Sequence, residues 1–158
     1  MRKIRVYVDT SVFGGTQDEQ FSTASLRFFD RVKRGQYLVL LSSETLRELT
    51  RAPEAVRAVW QALSPEQMEE TPLSADVVDL AEAYVHAGVL GKASRGDALH
   101  VASATVAAAD LILSWNFRHI VNFDRIRGYN SVNLSVGYRT MTILSPLEVA
   151  YEDERKDI

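Results

Sequence analysis

Ile4-Arg5-Val6-Tyr7-Val8-Asp9-Thr10-Ser11 is an apolar run that stops on a carboxylate and two hydroxyls. Its β-branched and aromatic residues read as a short buried strand over 4–8. In an open α/β sheet, ligands bind just beyond the carboxyl ends of the strands. Asp9 therefore stands where chemistry is placed. Taken alone, the tripeptide is more simply a helix cap, because Asp, Ser and Thr all satisfy free amides at a helix start. The remainder of the chain has to decide between the two readings.

Working outward, Gly14-Gly15 breaks a long helix and suggests a mobile loop over the strand end. Leu26, Phe29 and Val32 recur at helical spacing among Arg27, Asp30, Arg31, Lys33 and Arg34, an amphipathic helix that ends at Gly35 with a solvated basic face. Tyr37-Leu38-Val39-Leu40-Leu41 is a second continuous apolar run. With a helix before it, it is expected to lie parallel to the first. Ser43 begins a helix carrying Glu44 and Glu48 on one face. Glu44 is read as solvent-exposed, whereas Glu48 follows a strand end closely and reaches the same sheet edge as Asp9. Val56, Val59, Trp60 and Leu63 form a helical core stripe, Ser64 to Pro72 a short acidic segment, and residues 77–88 a further helix whose His86 is given no role. Arg95-Gly96-Asp97 opens a helix rich in small residues, with His100 one turn beyond Asp97. Asp110 to Ser114 and Met141 to Leu144 are the remaining strands, with a loop over Asn130 to Gly137 between them. The alternation predicts a three-layer α/β/α sandwich on a mainly parallel sheet. Residues 1–150 are expected to be a single domain and 151–158 a charged tail.

Composition sets outer limits. The chain has 158 residues, 46% of them hydrophobic, so a packed core is expected. It has no cysteine, which removes disulfides, thiolate nucleophiles and sulfur-ligated zinc. No stretch is long enough to span a bilayer, and the expectation is a soluble cytoplasmic protein. Net charge is −3 with a pI near 5.6, which argues against tight non-specific nucleic-acid binding but leaves room for a local basic face.

Three acids stand out by position. Asp9 ends the first strand, Glu48 lies on the helix after the second, and Asp97 begins the helix before the third; Asn116 follows that third strand. If these strand ends share one edge, the carboxylates converge and raise one another's pKa. A divalent cation resolves the repulsion, and oxygen-only ligands suit Mg²⁺ or Mn²⁺. Such an ion activates water and stabilises charge on a phosphoryl oxygen. Asp110 precedes its strand and belongs to the opposite edge.

With these residues in view, the sequence resembles the PIN domain of metal-dependent ribonucleases over nearly its whole length. Asp9-Thr10-Ser11 is similar to the opening PIN motif, Leu46-Arg47-Glu48-Leu49 to the second-acid motif, and Asp97-Ala98-Leu99-His100-Val101-Ala102 to the third. Ser114-Trp115-Asn116-Phe117-Arg118-His119 is similar to a subgroup with tryptophan and asparagine at the fourth site, where the common pattern has Asp. Asparagine offers a carbonyl oxygen but no charge, so a second metal is in question, and Asp124 is an alternative acid. The resemblance implies hydrolysis of RNA with Asp9, Glu48 and Asp97 as metal ligands and Asn116 as a fourth catalytic position. Thr10, Ser11, Arg95, Arg118 and His119 are the expected substrate contacts, and Trp115 either stacks a base or packs in the core. Many PIN domains are VapC-type toxins, which implies an antitoxin partner and a homodimer.

Two other readings stand beside this one. Phosphatases of the haloacid dehalogenase type also begin with a strand-end Asp but want a second Asp two residues on, where this chain has Ser11. A PIN-like module with weak or no catalysis would bind RNA or protein instead.

Overall fold

The computed structural model describes residues 2–150; the expected charged tail from Tyr151 onward lies outside the described residues. One sheet holds β1 (Ile4–Val8), β2 (Tyr37–Ser42), β3 (Met68–Thr71), β4 (Leu111–Leu113) and β5 (Ile143–Leu144). The order is β3-β2-β1-β4-β5 and every pairing is parallel. Parallel neighbours need long crossovers. These are supplied by α1 (Thr10–Gly15), α2 (Ser22–Lys33), α3 (Ser43–Thr50), α4 (Glu54–Gln61), α5 (Ala75–His86), α6 (Arg95–Val106) and α7 (Phe123–Ser135), with α8 (Pro146–Ala150) after β5. The expected α/β/α sandwich is therefore present, with all of its strands parallel.

The two layers follow from strand periodicity, since successive side chains point to opposite faces. Val6, Val8, Val39 and Leu41 enter one core with Phe13 of α1, Phe28 of α2 and Val56 of α4. Tyr7, Leu40 and Ile112 enter the other with Leu80, Tyr84, Leu99 and Tyr129 from α5, α6 and α7. Covering both faces explains why the central strands are continuously apolar. It also commits Tyr7 to the α6 side. Helix α6 is buried all round from Ala98 to Thr105, and its small residues permit that close approach.

Several local expectations are corrected. Gly14-Gly15 does not form a mobile loop but closes α1. Gly15 is there for space: an added Cβ would stand 2.6 Å from Trp115 Nε1 and 2.7 Å from Ser25 Oγ, two atoms already hydrogen-bonded at 2.8 Å. Gly15→Ala is accordingly expected to lower stability by about 1–3 kcal/mol, the usual cost of overpacking; chemical denaturation reads it directly. The face of α2 is not wholly solvated, because Arg31 is buried and its guanidinium donates to the Val149 carbonyl. Leu26, placed in the core stripe, is exposed, and Phe28 takes its place inside.

The acidic segment contains β3. Its Glu69 and Glu70 are exposed, as suits an edge strand that must not pair further. The expected loop at 130–137 is largely α7, the longest helix among the described residues. Tertiary contacts hold it: Tyr84 Oη donates to Asn133 Oδ1 at 2.5 Å, Tyr129 Oη donates to the His119 carbonyl at 2.7 Å, and Gly128 lies against Val89. Asp110 sits at the opposite sheet edge, as expected, and its carboxylate accepts from the Arg5 amide at 2.8 Å and from Arg2.

Candidate active site

The strand order reverses beside β1: β2 and β3 lie on one side of it, β4 and β5 on the other. The crevice at such a switch point, beyond the carboxyl ends, is where ligands bind in this architecture. Val8 is in register with Leu113, so the residues that follow them, Asp9 and Ser114, are neighbours. A cleft here is lined by Asp9, Thr10, Ser11, Glu48, Asp97 and Asn116, with Pro53 and Val56 of the α4 side forming an apolar wall. The sheet thus gathers six residues expected at the site from four separate stretches of chain.

Asp9 occupies the N-cap position of α1, yet its side chain makes no capping bond. Its Oδ2 instead accepts from Ser11 Oγ and Ser114 Oγ, each at 2.7 Å. Asp9 is 5% exposed, so two hydroxyl donors hold one oxygen while Oδ1 faces His100 Nε2 at 3.6 Å. Asp97 does not cap either. It stands in the first turn of α6, and its Oδ1 accepts from Asn116 Nδ2 at 3.2 Å. Burial raises the Asp97 pKa; Asp9 and Glu48 add to the rise, while His100 and His119 oppose it.

Asn116 has a different task from the one its amide suggested. Its Oδ1 accepts from the amides of Arg118 and His119, at 3.2 and 2.9 Å. Those two donors fix the amide orientation and turn Nδ2 toward Asp97. Its carbonyl oxygen is thereby used within the loop, and Asn116 orients Asp97. Asn116→Asp would exchange that donor for a second carboxylate. The expected outcome is a metal-free stability lowered by about 1–3 kcal/mol through lost bonding and new repulsion, recovered on titration with Mg²⁺; calorimetry at both conditions checks it.

His100 was not singled out as a functional residue, although its place one turn after Asp97 was legible. It is 2% exposed. Its Nε2 donates to Glu48 Oε1 at 2.5 Å, and its Nδ1 meets Tyr7 Oη at 2.7 Å. Tyr7 Oη continues to Ser42 Oγ at 2.8 Å. Burial alone would lower the His100 pKa, but Tyr7, the Glu48 bond and Asp9 outweigh it, and the value lies well above the ordinary 6.5. These surroundings favour the protonated ring, whose positive charge would offset the carboxylates of Glu48 and Asp9. Ser114 was likewise missed, though it ends a strand as Asp9 does.

The remaining candidates separate. Arg95 is paired with Glu82 at 2.8 Å and does not line the cleft. Arg118 and His119 follow Asn116 outside the lining, with Arg118 exposed. Trp115 is 6% exposed, stacked on Phe21 at 4.1 Å, and belongs to the core. Glu44, read as solvated, is buried and held by Arg47 at 2.6 Å, a bond that lowers its pKa. Asp124 lies on the exposed face of α7, away from the cleft.

Among the described residues no three His, Asp or Glu side chains form a ready metal cage. The donor set still fits a hard cation. Mg²⁺ commonly uses one or two carboxylates and keeps several waters. Asp9 and Asp97 supply the carboxylates, and beside them Thr10 Oγ1 is buried without a hydrogen-bond partner, the mark of a site built for something further.

No protein-family model matches the sequence, and no curated protein matches it. The structure is similar to a chain in the crystal structure of VapBC2 from Rickettsia felis bound to a DNA fragment from their promoter, with TM-score 0.56 and 11% identity over 90% of this chain and 98% of that one. The two share a fold, which agrees with the expected PIN-like architecture.

Proposed function

We propose that this protein is a metal-dependent ribonuclease of the PIN type, acting as the toxin of a toxin–antitoxin pair in the cytoplasm. The observation that carries the reading is Asp9 and Asp97 in one cleft at the sheet's switch point, neither engaged in capping. The likeness to a chain of the VapBC2 complex supports the toxin–antitoxin setting and an antitoxin partner. No helix among the described residues is long and apolar enough to cross a membrane.

Asp9 and Asp97 would hold Mg²⁺ or Mn²⁺, with Glu48 at the rim reaching it directly or through water. The ion supplies water activation and stabilisation of charge on the phosphoryl oxygens. The chain's own groups prepare the place. Ser11 and Ser114 lock Asp9 through Oδ2, leaving Oδ1, which faces His100 Nε2 at 3.6 Å, for the cation. Asn116 aims Asp97. The His100 imidazolium orients Glu48 and offsets the local negative charge. The buried Thr10 hydroxyl, without a hydrogen-bond partner, would bond a water held in the site, and Ser11 fixes the turn by accepting from the Trp115 amide.

The test is incubation of the protein with structured and single-stranded RNAs in Mg²⁺, in Mn²⁺ and in chelator. Cleavage that needs the cation is expected. Hydrolysis of a phosphomonoester with RNA left intact would favour a phosphatase, and cation binding with no turnover would favour a PIN-like binding module.

A further inference from the structure

Beyond Asn116 the chain runs Asn116-Phe117-Arg118-His119-Ile120-Val121-Asn122-Phe123-Asp124-Arg125-Ile126-Arg127, with three arginines against one aspartate in a chain of net charge −3. Two of its aromatic rings are left in water: Phe117 is 46% exposed and Phe123 is 74% exposed. Phe117 sits edge-on over Trp115 at 6.1 Å and is tilted over Phe21 at 6.4 Å, so a rigid aromatic base supports it. Arg127 lies over the Phe123 ring at 5.6 Å. Among the described residues neither Arg118 nor Arg127 has an acidic partner.

The segment is tied to the cleft. The amides of Ile120 and Val121 both donate to the Asn116 carbonyl, at 3.1 and 2.8 Å. Phe123 is only two residues beyond Val121, a span of at most about 7 Å. Asn122 caps α7 by accepting from the Arg125 amide, and Tyr129 pins that helix to the His119 carbonyl. Phe123 thus carries Arg127 over its ring, Phe117 is followed directly by Arg118, and the turn closed on the Asn116 carbonyl links both rings to the residue that orients Asp97.

We infer that Phe117, Arg118, Phe123 and Arg127 form a binding strip for single-stranded RNA, which leads the strand to the cleft by stacking bases on the rings and pairing phosphates with the arginines. This deepens the nuclease reading and rests on it. Alternating π-faces and cations suit an unpaired strand: every base can stack, and the backbone supplies the negative charge. A duplex keeps its bases inside and offers the rings nothing. Arginine and aromatic residues also suit a protein interface, and a change of sedimentation on substitution is the outcome that separates the two.

The test is fluorescence anisotropy of a short single-stranded oligoribonucleotide in chelator over a salt series, on wild type, Phe123→Ala, Phe117→Ala and Arg118→Gln. Cleavage of the same RNA in Mg²⁺ is followed alongside. The substituted side chains are exposed, and circular dichroism checks that each variant folds. Each aromatic variant is expected to bind roughly tenfold more weakly with an unchanged salt slope. Arg118→Gln is expected to reduce the slope of log affinity against log salt by about 0.7, one phosphate's share on a single strand. Equal affinity for a duplex, or variant affinities equal to wild type, overturns the strip. So does a change of sedimentation in Phe123→Ala with RNA affinity intact, which would make this face a protein interface. Unchanged variant affinity with wild-type cleavage leaves the nuclease standing and removes only the strip. Binding that weakens as expected in a protein that never cleaves does the reverse.

Discussion

On the proposed mechanism, Asp9→Asn and Asp97→Asn are each expected to reduce RNA hydrolysis by about a thousandfold or more, because each would remove a charge proposed to hold the cation that stabilises developing charge at phosphorus. Both replacements keep size and shape. In Asp9→Asn the amide oxygen can still accept from Ser11 and Ser114, so folding should survive. Asp97→Asn makes the sharper case. The Asp97 carboxylate is disfavoured by burial and by Asp9 and Glu48, so neutralising it relieves the metal-free protein. Its Tm in chelator is expected to rise by about 2–4 °C, the equivalent of about 1 kcal/mol in a chain this size. Mg²⁺ should raise the wild-type Tm and leave that of Asp97→Asn nearly unmoved. Activity and stability would then move in opposite directions, which a misfolded variant cannot imitate. A variant that loses activity and melts early would instead make Asp97 a structural residue.

His100→Ala is expected to cost about 3–5 kcal/mol, because removing one partner leaves buried charge without compensation. The loss falls on Asp9, on Glu48 and on the Tyr7 hydroxyl together. Tyr7→Phe removes a hydroxyl that meets both His100 Nδ1 and Ser42 Oγ and should cost less, about 1–3 kcal/mol. The pH dependence has a defined sign. The folded-state pKa of His100 lies above the ordinary 6.5 of an unfolded chain. Its contribution is therefore complete below pH 6.5 and is lost as pH rises through the folded-state value. Urea unfolding of wild type should show a fall in stability toward alkaline pH that His100→Ala does not share. A parallel pH profile in the two proteins would contradict the imidazolium.

Much of the site could be read before any fold was known, and the reasons differ by residue. Asp9 and Asp97 were legible because each sits where an apolar pattern begins or ends, and helix capping was their only strong competitor. The structure removes that competitor, since neither side chain caps. Glu44 and Glu48 share one helical face, and closeness to the end of β2 sets Glu48 apart in the sequence; the packing of α3 beside α6 adds its bond to His100, while Glu44, expected in solvent, is buried and held by Arg47 of its own helix. In the sequence Trp115 is the residue offered for base stacking, with core packing as its alternative. Burial against Phe21 and Ser25 withdrew Trp115 and left Phe117 outside.

By itself the sequence determined a mainly parallel α/β/α architecture, the strands β1, β2, β4 and β5, and the acids Asp9, Glu48 and Asp97 placed beside them, because apolar periodicity and chain order are local or nearly so. Tertiary structure alone decided α7, whose Asn, Ser and Gly carry weak helical preference and are held by Tyr84, Val89 and the His119 carbonyl. It alone decided β3, where exposed glutamates hide an edge strand. It alone decided the charge balance of the cleft, because Tyr7, Glu48 and His100 are distant in sequence and acquire their bonds only when the sheet and α6 close on one another.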